Sequence, residues 1–186
     1  MMDLLRQRLS AFQASSLDGT ERMRASVLIP ILRKDGETNV LLTRRTETVK
    51  YHKGEISFPG GMYEEGDGDA LTTAVRESME EIGLKPGDVE IVGRLNDMNT
   101  FTGFVITPYV GIIPFPYDFI LSAAEVSYLI YLPLSYLMTV DYKIEPAEFK
   151  GKNGQAPAIY YEGERIWGAT CRMLLQLRRI LRDEKI

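Results

Sequence analysis

FPGGMYEEGDGDALTTAVRESMEEIGL, residues Phe58 to Leu84, decides how the rest of the chain is read. It joins a glycine turn, an acidic loop and a segment whose apolar positions recur at helical spacing. On a wheel of about 100° per residue, Asp69 to Ile82 gathers Leu71, Ala74, Val75, Met79 and Ile82 on one face, the side expected to meet a core. Glu77, Glu80 and Glu81 share another sector, because residues three and four apart are neighbours on a helix surface. Arg76 lies off the apolar face, on the flank nearest Glu80. Gly83 followed by Pro86 ends the helix, so Glu80 and Glu81 occupy its last turn, where the macrodipole is negative. Each carboxylate there costs roughly 0.3–1 kcal/mol, and each like-charged pair about 0.2–0.5 kcal/mol more. Something cationic should compensate. Arg76 and Lys85 could each meet one acid, and a solvated acidic face would need nothing further. Three carboxylates converging on one spot suit a divalent metal better. The oxygen ligands of Glu77, Glu80 and Glu81, joined by the Gly61 carbonyl, match hard Mg2+ or Mn2+, ions that bridge substrate phosphates.

Immediately upstream, LLTRRTETVKYHKGEISFPGG (Leu41 to Gly61) places Arg44, Arg45, Lys50, His52 and Lys53 in and after an expected strand. Such a cluster stands out in a chain whose net charge is −4. Arginine can grip a phosphate as a bidentate fork and lysine as a point charge, so Arg45, Lys50, His52 and Lys53 are candidate substrate-binding residues. The alternative for any one of them is an ordinary solvated loop.

The central stretch resembles the signature of the Nudix hydrolases: a glycine, five residues, an acid, a spacer, then REUxEExGU with U aliphatic. Gly61, Asp67, Arg76, Glu77, Glu80, Glu81, Gly83 and Leu84 fill it. Aspartate replaces the usual glutamate at Asp67, the spacer to Arg76 is one residue longer, and Ser78 takes a position that is usually aliphatic. The resemblance implies a structural Asp67–Arg76 pair, with the longer spacer as the feature that could displace it. The upstream stretch resembles the further signature of the coenzyme A pyrophosphatase branch, LLTxR followed by a small residue, a basic residue, a glycine and FPGG. Leu41, Leu42, Thr43, Arg45, Thr46, Lys50, Gly54 and Phe58 to Gly61 fill that pattern, Thr46 and Lys50 standing where serine and arginine are expected.

Composition bounds the remaining possibilities. A chain of 186 residues, 45% hydrophobic and 26% charged, has the make-up of one soluble domain with a sizeable core, here expected to span residues 1–186. Its acidic balance speaks against nucleic acid as a partner. Cys171 is the single cysteine, which rules out an internal disulfide and suits the cytoplasm. MMDLLRQRLSAF is too charged for a signal peptide or a span, so no membrane partner is expected. Leu4, Leu5, Leu9 and Phe12 make it a short amphipathic helix.

Further elements follow from periodicity. SVLIPILR, Ser26 to Arg33, reads as a strand that Pro30 pushes toward an edge or a bulge. Asp35 and Gly36 turn it into a second strand from Asn39 to Arg45. Val89 to Leu95 and Phe104 to Ile113 are further strands. Pro114 to Ala124 is a loop rich in aromatic residues, and Glu125 opens the strand EVSYLIYLPL. Tyr142 to Phe149 and Ala158 to Tyr161 form a hairpin around GKNG. A last helix buries Met173, Leu174, Leu177, Ile180 and Leu181, with Trp167 in the core. This order fits an α+β fold, a Nudix-like α/β/α sandwich with a mixed β-sheet between helices.

The resemblance implies metal-dependent hydrolysis of a nucleoside diphosphate linkage. The expected substrate is coenzyme A or a derivative, cleaved to 3′,5′-ADP and a 4′-phosphopantetheine product, with Glu77, Glu81 and Glu125 catalytic and Glu125 as a general base near the metals. The alternatives are hydrolysis of ADP-ribose, a dinucleotide or a damaged nucleotide, and a domain that binds a nucleotide only as a sensor. The partner is a small-molecule nucleotide in each case; oligomeric state stays open, a homodimer included.

Overall fold

In the computed structural model, which describes residues 1–17, 22–49, 52–149 and 152–184, the apolar run after Ser26 becomes the axis of a mixed sheet. Helix α1 (Met2–Ala11) precedes strand β1 (Met23–Lys34). The tight turn at Asp35 and Gly36 leads into β2 (Glu37–Arg45), followed by β3 (Ile56–Ser57), β4 (Gly60–Met62) and helix α2 (Ala70–Ile82). Strands β5 (Glu90–Arg94), β6 (Met98–Asn99), β7 (Phe104–Ile112) and β8 (Val126–Pro133) come next, then helix α3 (Leu134–Thr139). Strands β9 (Lys143–Phe149), β10 (Lys152–Tyr161) and β11 (Glu164–Trp167) lead to helix α4 (Gly168–Leu181). Among the described residues, β1 to β8 form an eight-stranded sheet and β9 to β11 a three-stranded one.

Alternation along β1 explains the layering. Leu28 and Leu32 point to the face covered by α2, where they join Leu41, Ala74, Ile82 and Leu84 in one buried cluster. Val27, Ile29 and Ile31 point to the other face, in a larger cluster with Leu5 and Leu9 of α1 and Leu174 and Leu177 of α4. A strand covered on both faces is apolar throughout, and this is why β1 shows no period of two. The fold is an α+β sandwich.

Three expectations change. Pro30 is not at an edge: β1 runs parallel to β7 over its length, with Pro30 opposite Gly111. On its other side β1 pairs with β4 at Ala25–Val27 and with β2 from Ile31 onward. Pro30 sits where the partner changes, so its missing N–H interrupts no ladder. Trp167 is half-buried and not a core residue, and the Arg165 guanidinium lies 4.6 Å from its ring centroid. The inward face of α2 is also rotated from the hydrophobic prediction. Met79 is 54% exposed and Leu71 and Val75 are half-buried, while Thr73, Ala74, Ser78, Glu81 and Ile82 are buried. The polar members are satisfied locally: Ser78 Oγ donates to the Ala74 carbonyl at 2.7 Å and Thr73 Oγ1 to Asp67 at 2.8 Å.

The expected hairpin is longer than its residue types suggest. Strands β9 and β10 pair from Lys143↔Ala158 out to Phe149↔Lys152, with the GKNG turn partly outside the described residues. Strands β6 and β11 and helix α3 are short elements that periodicity does not mark.

Candidate active site

Helix α2 is set in place at both ends. Asp69 caps its start, accepting from the Thr72 N–H at 2.7 Å. In the loop before it, Asp67 accepts from the Glu64 N–H at 2.9 Å, from Thr73 Oγ1 at 2.8 Å, and from Arg76 Nε and Nη2 at 2.7 and 3.1 Å. The longer spacer therefore still closes the Asp67–Arg76 pair, as a bidentate fork. Arg76 beside it holds the Asp67 carboxyl well below the usual carboxylate range, and the pairing raises the guanidinium in turn. Arg76 also donates to the Met62 carbonyl and, through Nη1, to Glu77 at 3.1 Å and Glu80 at 3.2 Å. At the far end, left-handed Gly83 donates to the Met79 carbonyl, and the N–H groups of Ile120 and Ser122 take up the Ile82 and Glu81 carbonyls at 3.1 and 2.9 Å.

Glu81 lies between this helix and the glycine turn. It is 1% exposed, and its carboxylate has two partners, Arg45 Nη1 and the Gly60 N–H, each at 3.4 Å. Burial pushes its pKa up to about 8; Arg45 opposes this, while Glu125 and Glu77 reinforce it. Glu77 is raised as well, chiefly by burial, with Arg76 acting against it. Two long hydrogen bonds do not compensate a buried carboxylate. Arg45 shares the shortfall, since its Nε is buried without a hydrogen-bond partner.

The glycines explain how the turn comes so near. A Cβ on Gly60 would stand 2.4 Å from the Ser26 carbonyl oxygen and 2.6 Å from Val27 Cα. A Cβ on Gly61 would fall 2.2 and 2.6 Å from the two Glu77 carboxylate oxygens. Only bare backbone fits between β1 and the acids.

The basic residues do not form one cluster. Arg44 turns to Glu164 at 2.7 Å and lies 3.7 Å from Glu47, whereas Arg45 turns to Glu81. His52 meets Glu55 at 2.9 Å, Lys53 is exposed, and Lys50 lies outside the described residues. Glu125 stands at the start of β8, its carbonyl accepting from the Thr46 N–H at 2.9 Å. Its charge raises both Glu77 and Glu81, so it lies within electrostatic reach of the two acids. Thr73, Ile120 and Ser122, which the sequence does not single out, hold the loop acid and the helix end.

Among the described residues, no three acidic, histidine or cysteine side chains stand close enough together to hold a metal ion. Arg76 draws Glu77 and Glu80 to itself, and Glu80 is largely exposed. The donor set nevertheless fits a hard cation. It offers only oxygen, it includes a buried carboxylate short of compensation, and the Gly61 backbone faces Glu77 with no side chain between.

Known proteins resemble this chain over most of its length. A family model described as the NUDIX domain matches residues 22–149. A protein of an Enterobacter species, described as the uncharacterized Nudix hydrolase NudL, is 33% identical over 175 residues, spanning 91% of this chain and 90% of its own. The protein of the same description from Cronobacter sakazakii is 32% identical over 176 residues, 94% of this chain and 88% of its own. Among solved structures, a C. elegans Ap4A hydrolase binary complex aligns with a TM-score of 0.51 at 19% identity, covering 61% of this chain and 81% of that one. The NUDIX domain of Shewanella oneidensis NrtR, in complex with ADP ribose, aligns with a TM-score of 0.52 at 19% identity, covering 73% and 86%. These two likenesses concern the fold.

Proposed function

The chain belongs to the Nudix hydrolases, and from that premise we propose that it is a divalent-cation-dependent pyrophosphatase acting on coenzyme A or a derivative of it. The observation that carries this reading is the pairing of the two halves of the upstream motif. Thr43 of β2 stands opposite Ser57 of β3, their hydroxyls 3.2 Å apart, and the Arg45 N–H donates to the Glu55 carbonyl at 2.9 Å. The LLTRR strand and the FPGG turn thus end together at Glu81, which supports a phosphate-binding role for Arg45.

In this reading residues 1–186 act as one domain in the cytoplasm, and Glu77, Glu80, Glu81 and the Gly61 carbonyl would hold Mg2+ or Mn2+, Glu80 once released from Arg76. When bound, the cation would supply charge neutralisation for the diphosphate and acidity for a nearby water. Glu125 would take the proton of the water that attacks phosphorus. The bridging P–O bond breaks and the departing phosphate keeps the electron pair. Arg45 balances charge gathering on the phosphoryl oxygens. Asp67 and Arg76 hold the loop from which the turn approaches.

A substrate panel with Mg2+ and with Mn2+, read by product mass, tests the proposal. Coenzyme A should give 3′,5′-ADP and 4′-phosphopantetheine, with a sharp loss of rate for the analogue lacking the 3′-phosphate. Equal rates with coenzyme A and ADP-ribose would defeat the coenzyme A assignment. Nucleotide binding without any turnover would make the chain a sensor.

A further inference from the structure

We propose that the groove beside β8 binds an extended peptide segment bearing lysine or arginine, which adds to the sheet as a further strand. Strand β8 pairs antiparallel with β2 and, among the described residues, has no strand on its other edge. The direction of its free groups follows from the hairpin. Lys34 and Glu37 flank the two-residue turn, so they form its closing hydrogen-bonded pair. Alternation from there turns Val40, Leu42 and Arg44 toward β8, where they face Leu132, Ile130 and Tyr128. The N–H groups of Ser127, Leu129 and Tyr131 therefore point outward, available to an added strand.

A groove of about 460 Å3 is lined by β8 from Tyr128 to Tyr131 together with Tyr161, Glu162 and Glu164. Asp35 and Glu37 of the β1–β2 hairpin also line it. Among the described lining residues these four carboxylates face one cation, Lys34. That lysine shows what the groove accepts: its ammonium lies 2.9 Å from Asp35 Oδ2 and 5.6 Å from the centroid of the Tyr131 ring. Glu164 is engaged by Arg44 and the Tyr128 hydroxyl, and Glu37 by the Ser135 hydroxyl. Asp35, already met by Lys34, and Glu162 are both exposed and stand at the rim.

Charge chooses the occupant. A second copy pairing β8 against β8 would set this acidic groove against its own image, and nucleotides or nucleic acid would be repelled. A strand with alternate basic side chains satisfies the backbone edge and the carboxylates together. The groove shares no residue with the Glu81 site, so its occupancy is separable from turnover.

Fluorescence anisotropy on the full chain, with a labelled, end-capped hexapeptide of alternating lysine and valine, tests this at low and high salt. Saturable binding that weakens with salt is expected. Binding should be at least roughly tenfold weaker for alternating lysine and proline, which lacks half the backbone donors, and absent for alternating glutamate and valine. The double variant Asp35→Asn, Glu162→Asn removes both rim charges; both residues have positive φ, a conformation asparagine tolerates, so the turns survive. It should weaken binding roughly tenfold or more with Tm unchanged. Leu129→Pro, which removes an outward N–H, should abolish binding. Equal titration by the lysine and glutamate peptides, or an unaffected double variant, would overturn the proposal. So would a concentration-dependent dimer that Leu129→Pro converts to monomer.

Discussion

Arg45 faces Glu81 at 3.4 Å inside the cleft between helix and sheet, and burial still pushes the pKa of the acid up to about 8. One guanidinium at that distance is too little charge for a carboxylate that has lost its water. A divalent cation is the partner whose charge would close the gap, and Glu81→Gln removes the demand for it. The variant should lose at least about a thousandfold in Mg2+-dependent turnover while keeping its circular dichroism and its monodispersity. Turnover within a few-fold of the parent protein would remove Glu81 from the metal site.

The same acid sets a pH dependence of stability. Burial raises the Glu81 pKa in the folded protein to about 8, against 4.5 in the unfolded chain. Between those values the folded state binds the extra proton, so its advantage is complete below 4.5 and is lost as pH rises through 8. Chelator-treated protein should therefore lose stability from pH 5 to 8, by on the order of 4 kcal/mol at most. Glu81→Gln should flatten that slope, as should saturating Mg2+. Asp67 acts in the opposite sense, its contribution present above the ordinary carboxyl range and lost in strong acid. Denaturant midpoints across pH, with and without chelator, separate the two.

Adjacent glycines should fail in different ways. Gly60→Ala drives a Cβ into the backbone of Ser26 and Val27, which cannot yield, so Tm should fall by several degrees or the protein should not fold. The nearest atoms that Gly61→Ala meets are those of the Glu77 carboxylate, the end of a side chain that can swing away. It should leave Tm nearly unchanged and weaken Mn2+ binding, read by electron paramagnetic resonance, by about tenfold or more. Equal thermal losses for both would contradict this division.

Asp67 and Arg76 form a part-buried anchor. Asp67→Asn keeps the shape but removes the charge that Arg76 clasps, and should cost about 2–4 kcal/mol. Arg76→Lys should not restore stability, because a single ammonium cannot reach Asp67, Glu77, Glu80 and the Met62 carbonyl in one geometry. A lysine variant as stable as the parent would show that the fork is dispensable.

Much of this site is legible in the sequence at the level of elements. Asp69 and Gly83 mark the ends of α2 because a short acid and a residue free to turn left-handed are what a helix start and stop require. Which face turns inward is not legible, because hydrophobicity weighs Met79 above Thr73 and Ser78. It has no way to know that both hydroxyls find acceptors within the same helix and loop. Arg44 and Arg45 look like one cluster when read as composition. Read as a strand, with successive side chains on opposite faces, they part company: Arg44 goes to Glu164 and Arg45 to Glu81. Pro30 misleads for a related reason, since a strand interior can hold proline where its neighbours change. The free edge of β8 and its acidic groove depend on residues about a hundred positions apart, a distance no local pattern spans.

The C-terminal pole of α2 has no basic side chain in its last turn. Its last carbonyls are met instead by the N–H groups of Gly83, Ile120 and Ser122, which bear no net charge. The hydrogen bonds that close this end of the helix should thus be indifferent to ionic strength, even where the ion pairs of Arg76 and the binding of charged ligands along its acidic side are not.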